Sequence, residues 1–179
     1  VCRSVQHFLS LAQPHTCISA NKYADLMDAG MDDVAAHAAI TDTILSYAEH
    51  VDAGDSERWA QLFCVDAVFD EGRAVQGRAN IEALLPKLLR LFSATAHYVS
   101  NIRINRTGPH SASGTSYVYA WHRKLDGADF EFWGRYVDVF AFEDGAWRFA
   151  SRKVEQFGAR GLDIKVDQVP RRDYKDTQA

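Results

Sequence analysis

The hydrophobic pattern of this 179-residue chain changes its period at Ser93, and this change constrains the fold more than any other feature. Before Ser93 apolar residues recur at helical spacing, whereas after it they alternate with the period of two that β-strands show. The alternating segments cover residues 97–106, 111–124, 130–143 and 146–157. Turn sequences such as Asp126-Gly127 and Asp144-Gly145 join them, which favours hairpins. The second half therefore predicts an antiparallel, meander-like sheet.

The first half of the chain predicts three helices, over residues 32–52, 55–63 and 78–92. The first opens with Asp32 and Asp33, whose negative charges suit the positive end of a helix dipole. The third contains Pro86, which has no N–H to donate, so we expect a kink there.

Two short strands, at residues 67–70 and 74–77, are predicted around the turn at residues 71–73. Helices followed by a long antiparallel sheet define an α+β architecture. We expect a cone-shaped barrel in which a curved, mostly antiparallel sheet wraps around three N-terminal helices. Such a cone would enclose an apolar pocket.

The last hairpin predicts a register if Asp144-Gly145 is a two-residue turn. The expected partners are Phe142 with Trp147, Phe140 with Phe149, Asp138 with Ser151 and Phe132 with Phe157. Because cross-strand partners share a face, one face gathers aromatic residues and should lie under the helices. That face holds Phe132, Tyr136, Phe140, Phe142, Trp147, Phe149 and Phe157. The other face is mixed, suits a subunit contact or solvent, and holds Arg135, Val137, Val139, Arg148, Ala150 and Arg152.

Composition changes at both ends of the chain. We expect residues 1–30 to be an extension outside the core, residues 31–160 to form one domain, and residues 161–179 to be a polar tail. The tail has no periodic apolar pattern. It could cover a pocket mouth, contact a neighbouring subunit or stay disordered, and the sequence leaves these three outcomes open.

Charge, hydrophobicity and cysteine content limit the partners and the cellular setting that we expect for this protein. The net charge is −4 without a basic stripe, so no nucleic-acid partner is expected. No apolar run approaches the roughly 20 residues that cross a bilayer.

Residues 1–13 lack the features of a signal peptide. Three irregularly spaced cysteines predict free thiols in a reducing, cytoplasmic setting. No Cys pair or His arrangement suggests a metal, and we expect no cofactor.

Three stretches of residues 32–158 resemble a known family. They are Ala39-Ile40-Thr41-Asp42 with Tyr47 and Asp52, Ala96-His97-Tyr98-Val99-Ser100-Asn101, and the hairpin from Gly134-Arg135-Tyr136 to Ala146-Trp147-Arg148. The chain is similar to the SnoaL-like branch of the nuclear-transport-factor-2-like superfamily. Members include scytalone dehydratase, bile-acid 7α-dehydratase, hexachlorocyclohexane dehydrochlorinase, ketosteroid isomerase and polyketide cyclases.

The resemblance implies catalytic positions. Asp52 falls on the family's catalytic Asp, and His97 on the catalytic His of the dehydratases and the dehydrochlorinase. His122 falls on a second pocket His, and Tyr47 on a catalytic Tyr. The predicted substrate-binding wall is aromatic and comprises Trp59, Phe63, Trp121, Phe132, Tyr136 and Phe157.

An Asp that accepts a hydrogen bond from one ring nitrogen of His fixes the tautomer and raises the basicity of the other nitrogen. Such a base can remove a proton from carbon, after which water or another small group leaves. A cofactor-independent lyase acting on an apolar cyclic or aromatic hydroxylated compound is the first hypothesis. An isomerase or cyclase that only shuttles a proton, and a non-catalytic binding or assembly module, remain open. The resemblance also implies a homo-oligomer, either a dimer or a trimer.

One conflict affects His97. Ile102 and Ile104 have the pattern of core residues, and strict alternation then places His97 on the opposite face. A β-bulge between His97 and Ile102 would remove the conflict because it adds one residue to the strand. The Asp–His pair therefore requires a bulge.

Overall fold

The structure of the protein is a computed structural model, which describes residues 20–163 and 165–169, with side chains from Asp32 onward. The chain divides into a unit that ends at Asp32 and a second unit that starts at Asp33. The second unit carries the sheet and the site. Much of the predicted N-terminal extension, including Cys2 and Cys17, and the end of the predicted tail lie outside the described residues.

The elements in chain order are α1 (Ala20–Ala53), α2 (Ser56–Gln61), β1 (Phe63–Asp70), β2 (Ala74–Gln76), α3 (Arg78–Glu82), α4 (Leu85–Leu89), β3 (Phe92–Gly108), β4 (Ser111–Lys124), β5 (Asp129–Glu143), β6 (Ala146–Arg160) and β7 (Asp167–Gln168). The strands of the described residues form one seven-stranded sheet in the order β2-β1-β6-β5-β4-β3, with β7 paired to β6. Within this sheet the β1–β6 and β6–β7 pairings are parallel and the other pairings described are antiparallel. The α+β class with a curved, mostly antiparallel sheet is confirmed.

Helix α1 starts at Ala20 rather than at the predicted Asp32. Residues 20–31 are rich in Ala, Leu, Met and Lys, which are strong helix formers, and no proline interrupts them. Its buried side chains include Ile40, Ile44 and Tyr47. Gly54 follows the helix at a φ of 68°, a left-handed conformation that ends a helix at little cost in Gly.

The predicted third helix is broken rather than kinked. It forms the two short helices α3 and α4, and Pro86 lies in the first turn of α4. In a first turn the missing N–H of proline removes no helical hydrogen bond, so a new start is favoured over a kink. The chain then enters β3 at Phe92.

The hydrophobic core is built on aromatic rings between the helices and the inner face of the sheet. Trp59 and Phe63 are almost fully buried, and their ring centroids lie 5.2 Å apart in an edge-to-face arrangement. Phe63 in turn contacts Phe149 of β6 at 5.2 Å. Such pairs contribute about 0.5–1.5 kcal/mol each beyond the burial of their area.

The register of the last hairpin is as predicted near the turn and wrong further from it. Phe142 pairs with Trp147 and Phe140 with Phe149, as expected. A register shift then makes Ala150 an additional residue in β6, so Asp138 pairs with Arg152 and Val139 with Ser151. A bulge reverses the inward and outward alternation of a strand. Arg152 therefore lies on the inner face and is fully buried, not on the mixed face.

A second shift follows between Trp133 and Gly134, and it places Phe132 opposite Ala159 instead of Phe157. Phe157 already points outward as a result of the Ala150 bulge, because Arg152 and Val154 point inward, and it is 45% exposed. Its ring lies 5.2 Å from that of Tyr117, which is also exposed. The prediction that Phe157 belongs to the inner aromatic face is wrong.

The opposite, outer face of the sheet carries exposed aromatic rings. Tyr98, Tyr119 and Trp133 lie on neighbouring strands, with successive ring centroids 5.8 Å apart. Tyr98 is 63% exposed and Trp133 is 38% exposed. Among the described residues no helix is both long and apolar enough to span a membrane.

Candidate active site

A cavity of about 310 Å³ lies against the inner face of the sheet. It is lined by Tyr47, Glu71, Leu88, Leu91, Phe92, His97, Ala120, His122, Phe130, Phe132, Tyr136, Val154, Leu162, Lys165 and Val166. Most of these side chains are apolar or aromatic, and a few polar groups lie among them. Small-molecule sites have this composition.

Asp52 lies in the last turn of α1 and meets β3. Its carboxylate accepts hydrogen bonds from the Nδ1 of His97 at 2.6 Å, the backbone N–H of His97 at 2.8 Å and the hydroxyl of Thr95 at 2.8 Å. The side chains of His97 and Asp52 are 10% and 28% exposed. The carboxylate of Asp52 therefore joins the end of helix α1 to β3.

These contacts keep Asp52 ionised. Burial alone would raise its pKa, but the hydrogen bonds from His97 and Thr95 outweigh burial and lower the pKa of Asp52 below the usual 3.8. A carboxylate at this position receives the Nδ1–H of His97. The Nε2 of His97 then carries the free lone pair, in a ring that lines the cavity.

The bulge that the sequence requires is present and is confirmed. Ser100 pairs with Tyr117 and Arg103 with Thr115, so β3 has one more residue than β4 over this interval. Asn101 within it has a φ of 50°, which Asn tolerates better than most residues. On either side of the bulge, His97 and Ile104 both point toward the inner face, opposite Ala120 and Gly114.

His122 lies beside the pair on the neighbouring strand, with its ring centroid 5.3 Å from that of His97. Its ring also contacts Phe92 and Phe130. Burial, together with charge on His97, lowers the pKa of His122 to about 4. His122 is therefore neutral at neutral pH, and its buried Nδ1 has no hydrogen-bond partner within the part of the chain that the structure describes.

Tyr47 and Tyr136 form part of the cavity wall above a buried ion pair. Arg152 makes two hydrogen bonds of 2.9 Å to the carboxylate of Asp138, and both side chains are fully buried. The Arg152 guanidinium carbon lies 4.2 Å from the ring centroid of Tyr47 and 4.0 Å from that of Tyr136. Burial opposes the charge of Arg152, but Asp138 raises the pKa of Arg152, so the guanidinium stays charged beneath the two rings.

The predicted site residues separate into two groups. Tyr47, His97, His122, Phe132 and Tyr136 line the cavity, and Asp52 reaches it through His97. The remaining aromatic residues lie elsewhere: Trp59 and Phe63 in the core, Phe157 at the surface, and Trp121 beneath the guanidinium of Arg123 at 5.2 Å. Trp121 alternates with Ala120 and His122 along β4, so it points to the opposite face of the sheet.

Sequence reasoning missed Glu71, Arg152 and Asp138. Asp138 could have been found, because it has the inward parity of Tyr136 and Phe140, and a buried carboxylate needs a cation. The inward position of Arg152 could not have been predicted, since the Ala150 bulge that turns Arg152 inward has no evident sequence signal. Glu71 belongs to a turn sequence, Glu71-Gly72-Arg73, that is typical of a solvated loop.

The start of the predicted tail lies against the cavity. Leu162, Lys165 and Val166 line it, and β7 anchors the segment to β6 by parallel pairing. The ion pair between Lys153 and Asp167, at 2.7 Å, reinforces the pairing. Of the outcomes left open for the tail, these residues take the one that covers the pocket.

Fold and cavity together define a member of the nuclear-transport-factor-2-like superfamily. The chain belongs to the SnoaL-like domain family, whose family model matches residues 32–153. No curated protein matches the sequence.

Solved structures with this fold include relatives named for lyases. A protein from Novosphingobium aromaticivorans assigned as a scytalone dehydratase is 24% identical, with 80% of this chain and 99% of that chain covered and a TM-score of 0.76. A hexachlorocyclohexane dehydrochlorinase, LinA type 3 from Novosphingobium barchaimii, is 19% identical over 79% and 99% of the chains, with a TM-score of 0.69. LinA type 2 is 21% identical over 79% and 97%, with a TM-score of 0.70. At these identities the likeness establishes the fold.

Proposed function

We propose that this protein is a cofactor-independent lyase that eliminates water or another small group from an apolar cyclic or aromatic hydroxylated compound. The Nε2 of His97 removes a proton from carbon, and Asp52 holds the ring and stabilises the imidazolium that forms. Tyr47 and His122 contact the substrate beside the reacting carbon. General acid–base catalysis by a positioned group contributes about 10²–10⁴-fold.

One observation carries this proposal, namely the 2.6 Å hydrogen bond between Asp52 and the Nδ1 of a histidine that lines an apolar cavity. The bond leaves one basic nitrogen available. Because the cavity is apolar, charge separation between base and substrate is screened less than in water. A histidine with only a structural role in the sheet would need neither a carboxylate partner nor a place in a cavity wall.

The comparisons support elimination over proton shuttling alone. Scytalone dehydratase and hexachlorocyclohexane dehydrochlorinase are names of enzymes that remove water or hydrogen chloride. The cavity of about 310 Å³ has room for a molecule with one or two rings.

The test uses β-hydroxytetralone, an apolar bicyclic β-hydroxyketone. Loss of water gives an enone that tautomerises to a naphthol, which fluorescence detects. Wild-type protein is expected to accelerate this reaction, and His97→Ala to lower kcat/KM by about 10²–10⁴-fold. His37→Ala, on the exposed side of α1, is the matched control and is expected to leave the rate unchanged.

Three results would contradict the proposed lyase function. Equal rates for wild-type protein and His97→Ala would remove His97 as the base. Tight uptake of the ketone without product, measured by mass spectrometry, would instead support a binding module. A product of unchanged mass would support an isomerase.

A further inference from the structure

A second carboxyl group, that of Glu71, lines the same cavity as His97. Glu71 directly follows β1, in the turn that leads to β2. Glu71 is not a member of the Asp52–His97 pair. Of the described residues that line the cavity, Glu71 is the acidic one, and His97, His122 and Lys165 are basic.

The turn that carries Glu71 is held in place by the segment that covers the cavity. Gly72 has a φ of 83°, and a Cβ at this position would lie 1.9 Å from the backbone oxygen of Lys165. The two backbones are therefore in direct contact, which only glycine permits here. Val169 donates a 2.9 Å backbone hydrogen bond to Gln156, which anchors the covering segment to β6. Glu71 is thus positioned by packing rather than left in a free loop.

Cavity size brings Glu71 and His97 within reach of one ligand. Both side chains line one cavity of about 310 Å³, so a molecule with one or two rings bound there can contact both of them. His97 and Glu71 also interact electrostatically. A bound hydroxyketone can therefore present its carbon acid to one group and its leaving oxygen to the other.

Elimination of water needs an acid as well as a base, because hydroxide is a poor leaving group. The titratable groups that line the cavity with Glu71 are Tyr47 from α1, His97 from β3, His122 from β4, Tyr136 from β5 and Lys165 from the covering segment. Burial raises the pKa values of Tyr47 and Tyr136 well above the ordinary value, so both are weak acids. His122 is neutral near pH 7, as described above. Desolvation within the cavity raises the pKa of Glu71 to about 7, with charge on His97 opposing the rise, and a carboxylic acid is therefore available at neutral pH.

We propose that Glu71 is the catalytic acid of this cavity, which protonates the leaving oxygen while His97 removes the proton from carbon. The inference rests on the lyase function proposed above. In the step, the C–H bond breaks and its electrons form the C=C bond, while the C–O bond breaks and its electrons stay on oxygen. His97 gains the carbon proton, and the oxygen takes the proton of Glu71 and leaves as water. The imidazolium then returns its proton to the Glu71 carboxylate through solvent, which restores both groups.

The experiment compares two ketones with one skeleton, β-hydroxytetralone and its para-nitrophenoxy analogue. The second loses para-nitrophenolate, which departs without being protonated. Glu71→Gln is expected to lower kcat/KM for the hydroxyketone by about 10²-fold or more and to change it less than about 3-fold for the analogue. Glu57→Gln, an exposed glutamate in α2, is the matched control.

The pH profile gives a second readout. The acid must be protonated to act, so the wild-type rate with the hydroxyketone should fall as the pH rises through about 7. This falling limb should be absent with the analogue and in Glu71→Gln. A merely structural role would lower the rates with both ketones equally and leave the profile unchanged.

The outcomes separate the two proposals. Loss of both activities in His97→Ala, with selective loss of the hydroxyketone activity in Glu71→Gln, supports the assignment. Equal loss on both ketones, or no loss on either, overturns the role of Glu71 and leaves the lyase function intact. Wild-type protein that turns over neither ketone overturns the lyase function, and the role of Glu71 with it.

Discussion

Asp52 binds both the backbone N–H and the imidazole Nδ1 of His97, at 2.8 and 2.6 Å. One carboxylate thus fixes the position of the β3 backbone and the orientation of the ring at once. Thr95 donates to the same carboxylate. Asp52, which orients the proposed base His97, therefore also joins the end of α1 to the first half of β3.

Asp52→Asn is expected to lower kcat with β-hydroxytetralone by about 10²–10⁴-fold, because an amide neither stabilises the imidazolium nor fixes its tautomer. Asp42→Asn, an exposed position on the same helix, should have wild-type kinetics. Circular dichroism should report the same fold for both variants. Wild-type turnover by Asp52→Asn would contradict the proposed role of the pair.

The same substitution should change stability in a pH-dependent way. Asp52 has a folded pKa below 3.8, so its stabilising contribution is present above the unfolded pKa and is lost as the pH falls through the folded pKa. Urea unfolding should therefore find Asp52→Asn about 1–3 kcal/mol less stable than wild type at neutral pH. The difference should shrink below a pH of about 4. A difference that stays constant down to a pH of about 3 would argue against an ionised, hydrogen-bonded Asp52.

Arg152→Met should destabilise the protein by about 3–5 kcal/mol, because it leaves the carboxylate of Asp138 buried without a cation. Adding Asp138→Leu should recover part of this loss, since the double variant buries no unpaired charge. Arg135→Met removes a partly exposed pair with Glu155 and should cost about 1 kcal/mol or less. Urea unfolding measures all three. Equal costs at Arg152 and Arg135 would contradict the buried pair.

Asn101→Gly should preserve the bulge, since glycine adopts a φ of 50° readily, and stability and activity should stay near wild type. Asn101→Val should cost about 1–3 kcal/mol, because a β-branched residue is strained in the left-handed region. It should also lower kcat/KM more than Asn101→Gly does, because relief of that strain displaces His97. Thermal unfolding and kinetics on the same samples check both points. Equal behaviour of the two variants would show that the bulge does not position His97.

Homo-oligomerisation remains a prediction, and the outer sheet face is where it can be tested. Trp133→Glu places a charge within the exposed row of aromatic rings that includes Tyr98 and Tyr119. Light scattering should give wild-type protein a mass that is a multiple of 20.1 kDa and the variant a mass of 20.1 kDa. Leu125→Glu, at an exposed apolar residue in the β4–β5 turn, should keep the wild-type mass. Monomeric wild-type protein would refute the prediction.

Local patterns in the sequence were sufficient to predict most of the helices and strands and much of the sheet topology. The alternation after Ser93 predicted the long strands, and β4 has the predicted bounds of residues 111–124. Inward parity at Ile102 and Ile104 also required the bulge that brings His97 to the cavity. Such inferences succeed because side-chain direction in a strand depends on local spacing, which a sequence records directly.

The tertiary structure decided what no local pattern carries. The bulge at Ala150 turned Arg152 into a buried cation and gave Phe157 outward parity, which leaves Phe157 at the surface. Contact of the Gly72 turn with the chain near Lys165 placed Glu71 in the cavity, although the two lie far apart in sequence. The sequence by itself determined which side chains have the chemistry of a base and an acid. Only packing between distant segments decided which of them share one cavity, because burial and proton affinity depend on neighbours that the local sequence does not contain.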